Sequence, residues 1–140
     1  MKIAIINGPN LNRLGRRDPE IYGSRSFAEY LPQLRAAFPE ADFSYFQSNC
    51  EGELIDEVQR AADEADAIII NPGAYSHYSY ALADALADAE VPAVEVHISN
   101  IHARDEFRRR SVTGACATAC LAGFGLDGYR LAALYLLSLH

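Results

Sequence analysis

Short apolar runs rich in β-branched residues alternate with segments of helical periodicity along this chain, and this alternation limits its possible folds most strongly. Strand patterns cover Lys2–Asn7, Asp42–Gln47, Ala67–Ile70 and Ala93–His97, and a buried fifth strand is predicted near Thr118–Ala122. Strands that are separated by helices form a parallel sheet with right-handed crossovers and with helices on both faces. The sequence therefore predicts an α/β fold in three layers, with a five-stranded parallel sheet in the middle.

The predicted helices follow from the spacing of apolar side chains and from capping residues. Three of them cover Glu51–Glu64, Ser79–Ala89 and Asp127–Leu139. A further helix follows the capping box of Ser26 and Glu29. Because Pro32 lacks a backbone donor, this helix either is kinked there or begins near Leu31. Residues 8–25 are predicted to form a long loop, and loops of that length often carry function.

Length and composition exclude several classes of protein. A chain of 140 residues predicts one domain spanning residues 1–140, because two halves could not each bury a sufficient core. No apolar run approaches the roughly 20 residues of a membrane helix, and no signal-peptide pattern opens the chain. We therefore expect a cytoplasmic protein with no membrane partner. The formal net charge of −7 argues against a broad nucleic-acid interface.

The usual sequence signatures of cofactor and metal sites are absent. Three cysteines without a C-x-x-C pair indicate reduced thiols, and Cys116 and Cys120, which are flanked by alanines, are expected to be small core residues. His97 and His102 are five positions apart, and neither an H-E-x-x-H motif nor a cluster of carboxylates accompanies them, so a zinc site is not indicated. The chain has no G-x-G-x-x-G, Walker or G-x-S-x-G pattern. These observations favour acid–base chemistry without a metal or an organic cofactor.

Polar segments follow three of the predicted strands, at residues 8–10, 71–77 and 97–100. In an open parallel sheet, ligands bind beyond the carboxyl ends of the strands. Each segment alone fits an ordinary turn, but together they predict a site at one edge of the sheet. Seven basic residues in two clusters predict that this site takes a small anion, although each cluster alone fits a solvated face. They are Arg13, Arg16, Arg17, Arg104, Arg108, Arg109 and Arg110.

Two pairs of residues in these segments suit proton transfer. Arg17 precedes Tyr22 by five positions, and a guanidinium beside a phenol stabilises the phenolate, so the pair can form a base on a mobile loop. Glu95 and His97 are two positions apart on a strand and share a face, so the carboxylate can hold the imidazole. Taken singly, Tyr22 also fits a surface aromatic residue and His97 a core histidine.

Six separated motifs match the pattern of one family. They are Ile6-Asn7-Gly8-Pro9-Asn10-Leu11-Asn12-x-Leu14-Gly15-x-Arg17-x-Pro19-x-x-Tyr22-Gly23, Gln47-Ser48-Asn49-x-Glu51-Gly52-Glu53-Leu54-Ile55-Asp56, Asn71-Pro72-Gly73-Ala74-Tyr75, Glu95-Val96-His97-Ile98-Ser99-Asn100, Arg104-x-x-Phe107-Arg108 and Gly123-x-Gly125-x-x-Gly128-Tyr129. Through them the chain resembles the type II 3-dehydroquinate dehydratases nearly from end to end. The resemblance implies a flavodoxin-like fold and the anti elimination of water from 3-dehydroquinate to give 3-dehydroshikimate, without a cofactor.

The resemblance also implies catalytic roles for individual residues. Tyr22 would take a proton beside the ketone with the assistance of Arg17, and Asn10 would help to stabilise the resulting enolate through a bound water. His97, oriented by Glu95, would protonate the departing hydroxyl. An alternative from another class is a flavodoxin-like module that binds a nucleotide or flavin without catalysis, which the fold would also allow. A third possibility is a related dehydratase that acts on another cyclic hydroxy-ketone.

Substrate contacts and assembly are implied in the same way. The substrate carboxylate would meet Asn71 and the backbone of Ile98 and Ser99, and the ring hydroxyls would meet His77 and Arg108. Asp84 would enter the site from a neighbouring subunit of a homo-dodecamer built of trimers. The sequence departs from the common family pattern at four positions. Ser76 and Tyr78 stand where threonine is common, Ala83 where arginine is common, and Arg110 where histidine is frequent.

Overall fold

The computed structural model describes residues 1–16 and 18–140, and the described chain contains a five-stranded sheet. Its strands are β1 (Lys2–Asn7), β2 (Asp42–Gln47), β3 (Ala67–Asn71), β4 (Ala93–His97) and β5 (Ala119–Ala122). They lie in the order β2-β1-β3-β4-β5, and each neighbouring pair is parallel. This is the flavodoxin-like order, which places the topological switch point between β1 and β3. The predicted α/β fold with a five-stranded parallel sheet is confirmed.

Helices cover both faces of this sheet. They are α1 (Pro19–Tyr22), α2 (Phe27–Ala37), α3 (Glu51–Glu64), α4 (Tyr80–Asp88) and α5 (Asp127–Ser138). Helices α2 and α5 bury their apolar side chains against one face, and α3 and α4 bury theirs against the other. Alternate residues of β1 divide between the two cores, with Ile3 and Ile5 in one and Ala4 and Ile6 in the other.

Helix α2 begins at Phe27, where the side chain of Ser26 accepts a hydrogen bond from the amide of Glu29 at 3.2 Å. Of the two predicted alternatives, the early start is correct, and Pro32 lies inside the helix. Proline cannot donate to the carbonyl of Ala28. Both Ala28 and Pro32 are exposed, so water can satisfy that carbonyl.

Several local predictions need correction. Tyr22 does not lie in an irregular loop, because Pro19 starts the short helix α1, where a missing donor costs no helical hydrogen bond. Strand β5 is not buried, since it forms the sheet edge. Cys120 on β5 is therefore exposed rather than a core residue, whereas Cys116, which precedes β5, is half-buried and packs against the core. All three cysteines are free thiols, as expected. In the described ranges, no helix is long and apolar enough to cross a membrane.

Candidate active site

A cavity of about 110 Å³ opens where β1, β3 and β4 end. Its walls come from the three polar segments predicted to meet there, together with α1 and the loop after β4. The predicted site residues that line it are Asn10, Tyr22, Asn71, His77, His97, Ile98, Ser99 and Arg108. Parallel strands that end together at a switch point bring these distant residues into one cavity, as the strand pattern predicted.

The turn after β1 places Asn10 in the cavity wall. Gly8 donates its amide hydrogen to the carbonyl of Asn71 at 2.7 Å, and a Cβ on Gly8 would lie only 2.5 Å from the carbonyl oxygen of Pro72. Only glycine therefore lets the two strand ends come this close. Asn10 adopts the left-handed backbone conformation with φ 69°, which asparagine tolerates. Its backbone N–H donates to Asn49 Oδ1 at 3.0 Å.

Glu95 and His97 form a buried pair at the end of β4. His97 Nε2 lies 2.7 Å from Glu95 Oε2, and Glu95 is fully buried while His97 is almost so. An ionised carboxylate can only accept hydrogen bonds, so Nε2 carries a proton and Nδ1 is the nitrogen that can exchange a proton with a ligand. The predicted contact between these side chains is present.

Two hydroxyl groups complete the surroundings of Glu95. Ser111 Oγ donates to Glu95 Oε2 at 2.5 Å, and Thr113 Oγ1 donates to Oε1. Burial raises the pKa of Glu95, but the hydrogen bond and charge of His97, with the two hydroxyls, outweigh it and hold the pKa below the ordinary 4.5. Sequence reasoning missed Ser111 and Thr113, because they follow His97 by more than a dozen positions in a segment without periodicity.

This lowered pKa makes Glu95 a source of acid sensitivity. The unfolded chain binds a proton at Glu95 at a higher pH than the folded chain does, so Glu95 stabilises the fold above its unfolded pKa and loses that effect as the pH falls. We expect Glu95→Gln to flatten the decline in the free energy of unfolding between about pH 5 and pH 3. Urea unfolding at a series of pH values measures this slope. Glu90→Gln, at an exposed carboxyl, is the control, and equal slopes in both variants would contradict the assignment.

His77 presents a neutral imidazole to the cavity. Burial lowers the pKa of His77 below 6.5, and the charges of His97 and Arg108 lower it further, against the opposing effect of a hydrogen bond to Arg110. In that bond, Nδ1 of His77 lies 2.7 Å from the Arg110 carbonyl oxygen and must donate to it. Nε2 is then left as an acceptor, which suits a hydroxyl group on a ligand.

Arg104 lines this cavity, and sequence reasoning placed it in a basic cluster but gave it no contact with Tyr22. Its Nη1 donates to the hydroxyl of Tyr22 at 2.8 Å and lies 3.4 Å from Ser99 Oγ, and its guanidinium carbon lies 5.6 Å from the centre of the Tyr22 ring. Arg17, the predicted partner of Tyr22, lies outside the described residues. The available signal was that Arg104 belongs to the basic cluster seven positions after His97.

Not every predicted residue reaches the cavity. Asp84 is exposed on α4 and does not line it. Among the described members of the two basic clusters, only Arg104 and Arg108 line it, so the small-anion site is narrower than the clusters suggested. Arg108 Nε is buried, lies 3.7 Å from Asp105 Oδ2 and has no hydrogen-bond partner within the described chain.

The geometry agrees with comparisons against known proteins. A model of the family described as "Dehydroquinase class II" matches residues 1–137. The chain belongs to the class II dehydroquinase family. It is 52% identical to a 3-dehydroquinate dehydratase of Lachnoclostridium phytofermentans, over 100% of this chain and 99% of that protein. It is 49% identical to a 3-dehydroquinate dehydratase of Bacillus licheniformis, over 97% of this chain and 95% of that protein. The crystal structure of a type II dehydroquinase from Propionibacterium acnes superposes on this chain with a TM-score of 0.94 at 44% sequence identity. The match covers 98% of this chain and 96% of that one.

None of the four positions at which the sequence is expected to depart from the common family pattern lines the cavity. Tyr78 is 58% exposed and packs edge-on against Tyr75, with ring centres 5.7 Å apart, and does not line the cavity. Ser76 is buried beside His77, with Oγ 3.4 Å from Nδ1. Ala83 is buried on α4. The bulk of Tyr78 is thus accommodated at the surface.

Proposed function

We propose that this class II dehydroquinase is a 3-dehydroquinate dehydratase that eliminates water through an enolate, within one catalytic domain spanning residues 1–140. The observation that carries the proposal is that Tyr22 and His97, a phenol and an imidazole, line the same cavity of about 110 Å³. Such a pair can remove a proton from one carbon and give a proton to a leaving oxygen. Family membership and the names of the relatives support the choice of 3-dehydroquinate.

In the first step, the phenolate of Tyr22 takes a proton from the carbon beside the ketone, and the electrons of that C–H bond form the enolate. The guanidinium of Arg104, 2.8 Å from the Tyr22 oxygen, stabilises the negative charge that this oxygen carries as a base. The resemblance assigns a second guanidinium, that of Arg17, to the same task. Asn10 stabilises the enolate oxygen through a bound water, for which its place in the cavity wall is suitable.

In the second step, the enolate electrons re-form the ketone with a new C=C bond while the C–O bond breaks. His97 gives the proton on Nδ1 to the departing oxygen, which leaves as water. The carboxylate of Glu95 accepts a hydrogen bond from Nε2 at 2.7 Å and stabilises the doubly protonated imidazolium that must precede this transfer. Glu95 therefore acts on the reaction through His97.

The cavity wall offers contacts for the rest of the substrate. Asn71 and the backbone of Ile98 and Ser99 hold the carboxylate, and the acceptor nitrogen of His77 holds a ring hydroxyl. Arg108, which lines the cavity, holds a second hydroxyl. In the proposed dodecamer of trimers, the exposed Asp84 of one subunit reaches the site of its neighbour. An exposed carboxylate outside its own cavity is compatible with that role.

The direct test is a dehydration assay on the native protein with EDTA present. We expect the enone absorbance of 3-dehydroshikimate to appear from 3-dehydroquinate at the same rate with and without the chelator. The same purified sample is inspected for visible colour. A bound yellow cofactor without turnover would favour the nucleotide- or flavin-binding alternative, and turnover of a different cyclic hydroxy-ketone alone would favour a related dehydratase.

Arg108→Ala is expected to raise KM for 3-dehydroquinate by about 10- to 100-fold with a smaller change in kcat. A hydrogen bond from a charged donor contributes roughly 1.5–3 kcal/mol, and this one serves binding rather than proton transfer. Steady-state kinetics measure both constants. Arg130→Ala removes an exposed arginine of α5 as the control. An unchanged KM in Arg108→Ala would show that the hydroxyl contact is wrongly assigned.

A further inference from the structure

A chain of buried polar side chains runs behind the cavity and joins β1, β3 and α5. Tyr129 donates its hydroxyl hydrogen to Asn7 Oδ1 at 2.7 Å, and Asn71 Nδ2 donates to the Tyr129 oxygen at 3.2 Å. Asn7 and Tyr129 are fully buried, and Asn71 is 3% exposed. Tyr129 does not line the cavity. The reaction proposed above gives Tyr129 no role, so it does not explain why this hydroxyl is buried next to Asn71.

The hydrogen bonds of this chain have one direction. A tyrosine hydroxyl has a single proton, and that of Tyr129 goes to Asn7, so its oxygen is an acceptor for Asn71. At the other side of the amide, Asn71 Oδ1 accepts from the amide of Gly73 at 3.1 Å. Asn7 is oriented in turn, because its Nδ2 donates to the hydroxyl of Tyr45 at 3.4 Å. Rotating the Asn71 amide by 180° would place oxygen against oxygen and N–H against N–H.

We propose that Tyr129 is a positioning residue that fixes the Asn71 amide so that its second N–H, rather than its carbonyl, faces the substrate. This inference rests on the proposed function and deepens it, because a fixed donor at this point selects an acceptor such as the substrate carboxylate. A freely rotating amide would offer a donor and an acceptor alike. Burial raises the pKa of Tyr129, which favours the protonated hydroxyl that donates to Asn7.

Phenylalanine at position 129 removes the hydroxyl and keeps the ring. The ring of Tyr129 packs edge-on against Phe27, with centres 4.8 Å apart, and phenylalanine preserves that contact. We expect Tyr129→Phe to raise KM for 3-dehydroquinate about 10-fold while kcat changes less than about threefold, because only the placement of a binding group is lost. The free energy of unfolding will also fall, since two buried polar groups lose their partner.

A double-mutant cycle separates positioning from a merely structural role. If Tyr129 acts through Asn71, Tyr129→Phe raises KM in the native background but not in the Asn71→Ala background. Tyr30→Phe is the matched control, because it removes the hydroxyl of another buried tyrosine, whose ring centre lies 6.3 Å from that of Tyr129, and this hydroxyl is not one of the groups joined to Asn7 and Asn71. We expect it to leave KM near the native value. If Tyr129→Phe does not accumulate as folded protein, Asn7→Ala replaces it, since it removes the acceptor that directs the tyrosine proton, and the same rise in KM is expected.

The outcomes are distinct. Absence of 3-dehydroquinate turnover in the native protein would reject the proposed function, and this inference with it. Turnover in the native protein with an unchanged KM in folded Tyr129→Phe would reject the inference alone. An equal rise in KM in Tyr30→Phe, or an equal rise when Tyr129→Phe is made in the Asn71→Ala background, would also overturn it, because the hydroxyl of Tyr129 would then act on the fold rather than on the amide of Asn71.

Discussion

Replacing Tyr22 with phenylalanine is expected to lower kcat by about 10²–10⁴-fold, which is the contribution of a general base, and to leave KM within about threefold of the native value. The phenyl ring keeps its position beside the guanidinium of Arg104, whose carbon lies 5.6 Å from the ring centre. Only the oxygen that removes the proton is lost. Steady-state kinetics with 3-dehydroquinate measure kcat and KM separately.

The control for this variant is Tyr135→Phe, which removes a phenolic hydroxyl from the 40% exposed Tyr135 on α5, outside the cavity. We expect native kinetics from it. Solvent exchange of the substrate proton beside the ketone provides a second measurement, because Tyr22→Phe should lose exchange together with turnover. If Tyr22→Phe retained near-native kcat, another group would be the base.

Replacing His97 with alanine is expected to lower kcat to a similar extent, by about 10²–10⁴-fold, because the leaving oxygen loses its proton donor. The reason lies in the sequence of steps, since proton removal by Tyr22 does not use the imidazole. We therefore expect His97→Ala to retain some exchange of the substrate proton with solvent while releasing little product. This difference from Tyr22→Phe distinguishes the acid from the base.

His97→Ala also leaves Glu95 buried without one of its three partners, so its stability must be measured alongside its kinetics. Assays at a temperature well below the unfolding midpoint of the variant separate the two effects. His140→Ala, at the exposed terminal histidine, is the control for loss of an imidazole. Near-normal turnover in folded His97→Ala would remove His97 from the mechanism and leave Glu95 with a structural role only.

Much of the candidate site could be predicted from the positions of the strand ends alone. Three polar segments follow β1, β3 and β4, and parallel strands must bring their carboxyl ends to one edge, so the convergence of Asn10, Asn71 and His97 could be predicted without coordinates. The contact between Glu95 and His97 follows from the two-residue period of a strand in the same way. These predictions depend on local periodicity, which the residues themselves carry.

Contacts between segments that are far apart in the chain were not predictable in this way. Arg104 and Tyr22 are separated by 82 positions, and their hydrogen bond depends on how α1 folds back over the loop after β4. The partners of Glu95, Ser111 and Thr113, lie in a segment of short turns whose path no periodicity indicates. Resemblance to a family identifies the expected catalytic residues, but it does not identify the side chains that hydrogen-bond to them and hold them in place.

Alternating apolar runs and helical faces were sufficient to specify the parallel sheet, its layers and the edge at which ligands bind, because burying those faces leaves few arrangements of strands and helices. Which buried polar groups meet was decided only by the packed chain. The hydrogen bond from Tyr129 to Asn7 joins residues 122 positions apart, and its length of 2.7 Å reflects the docking of α5 on the sheet. A hydrogen bond needs its two atoms placed to within a few tenths of an ångström, and only the packing of the whole core supplies that accuracy.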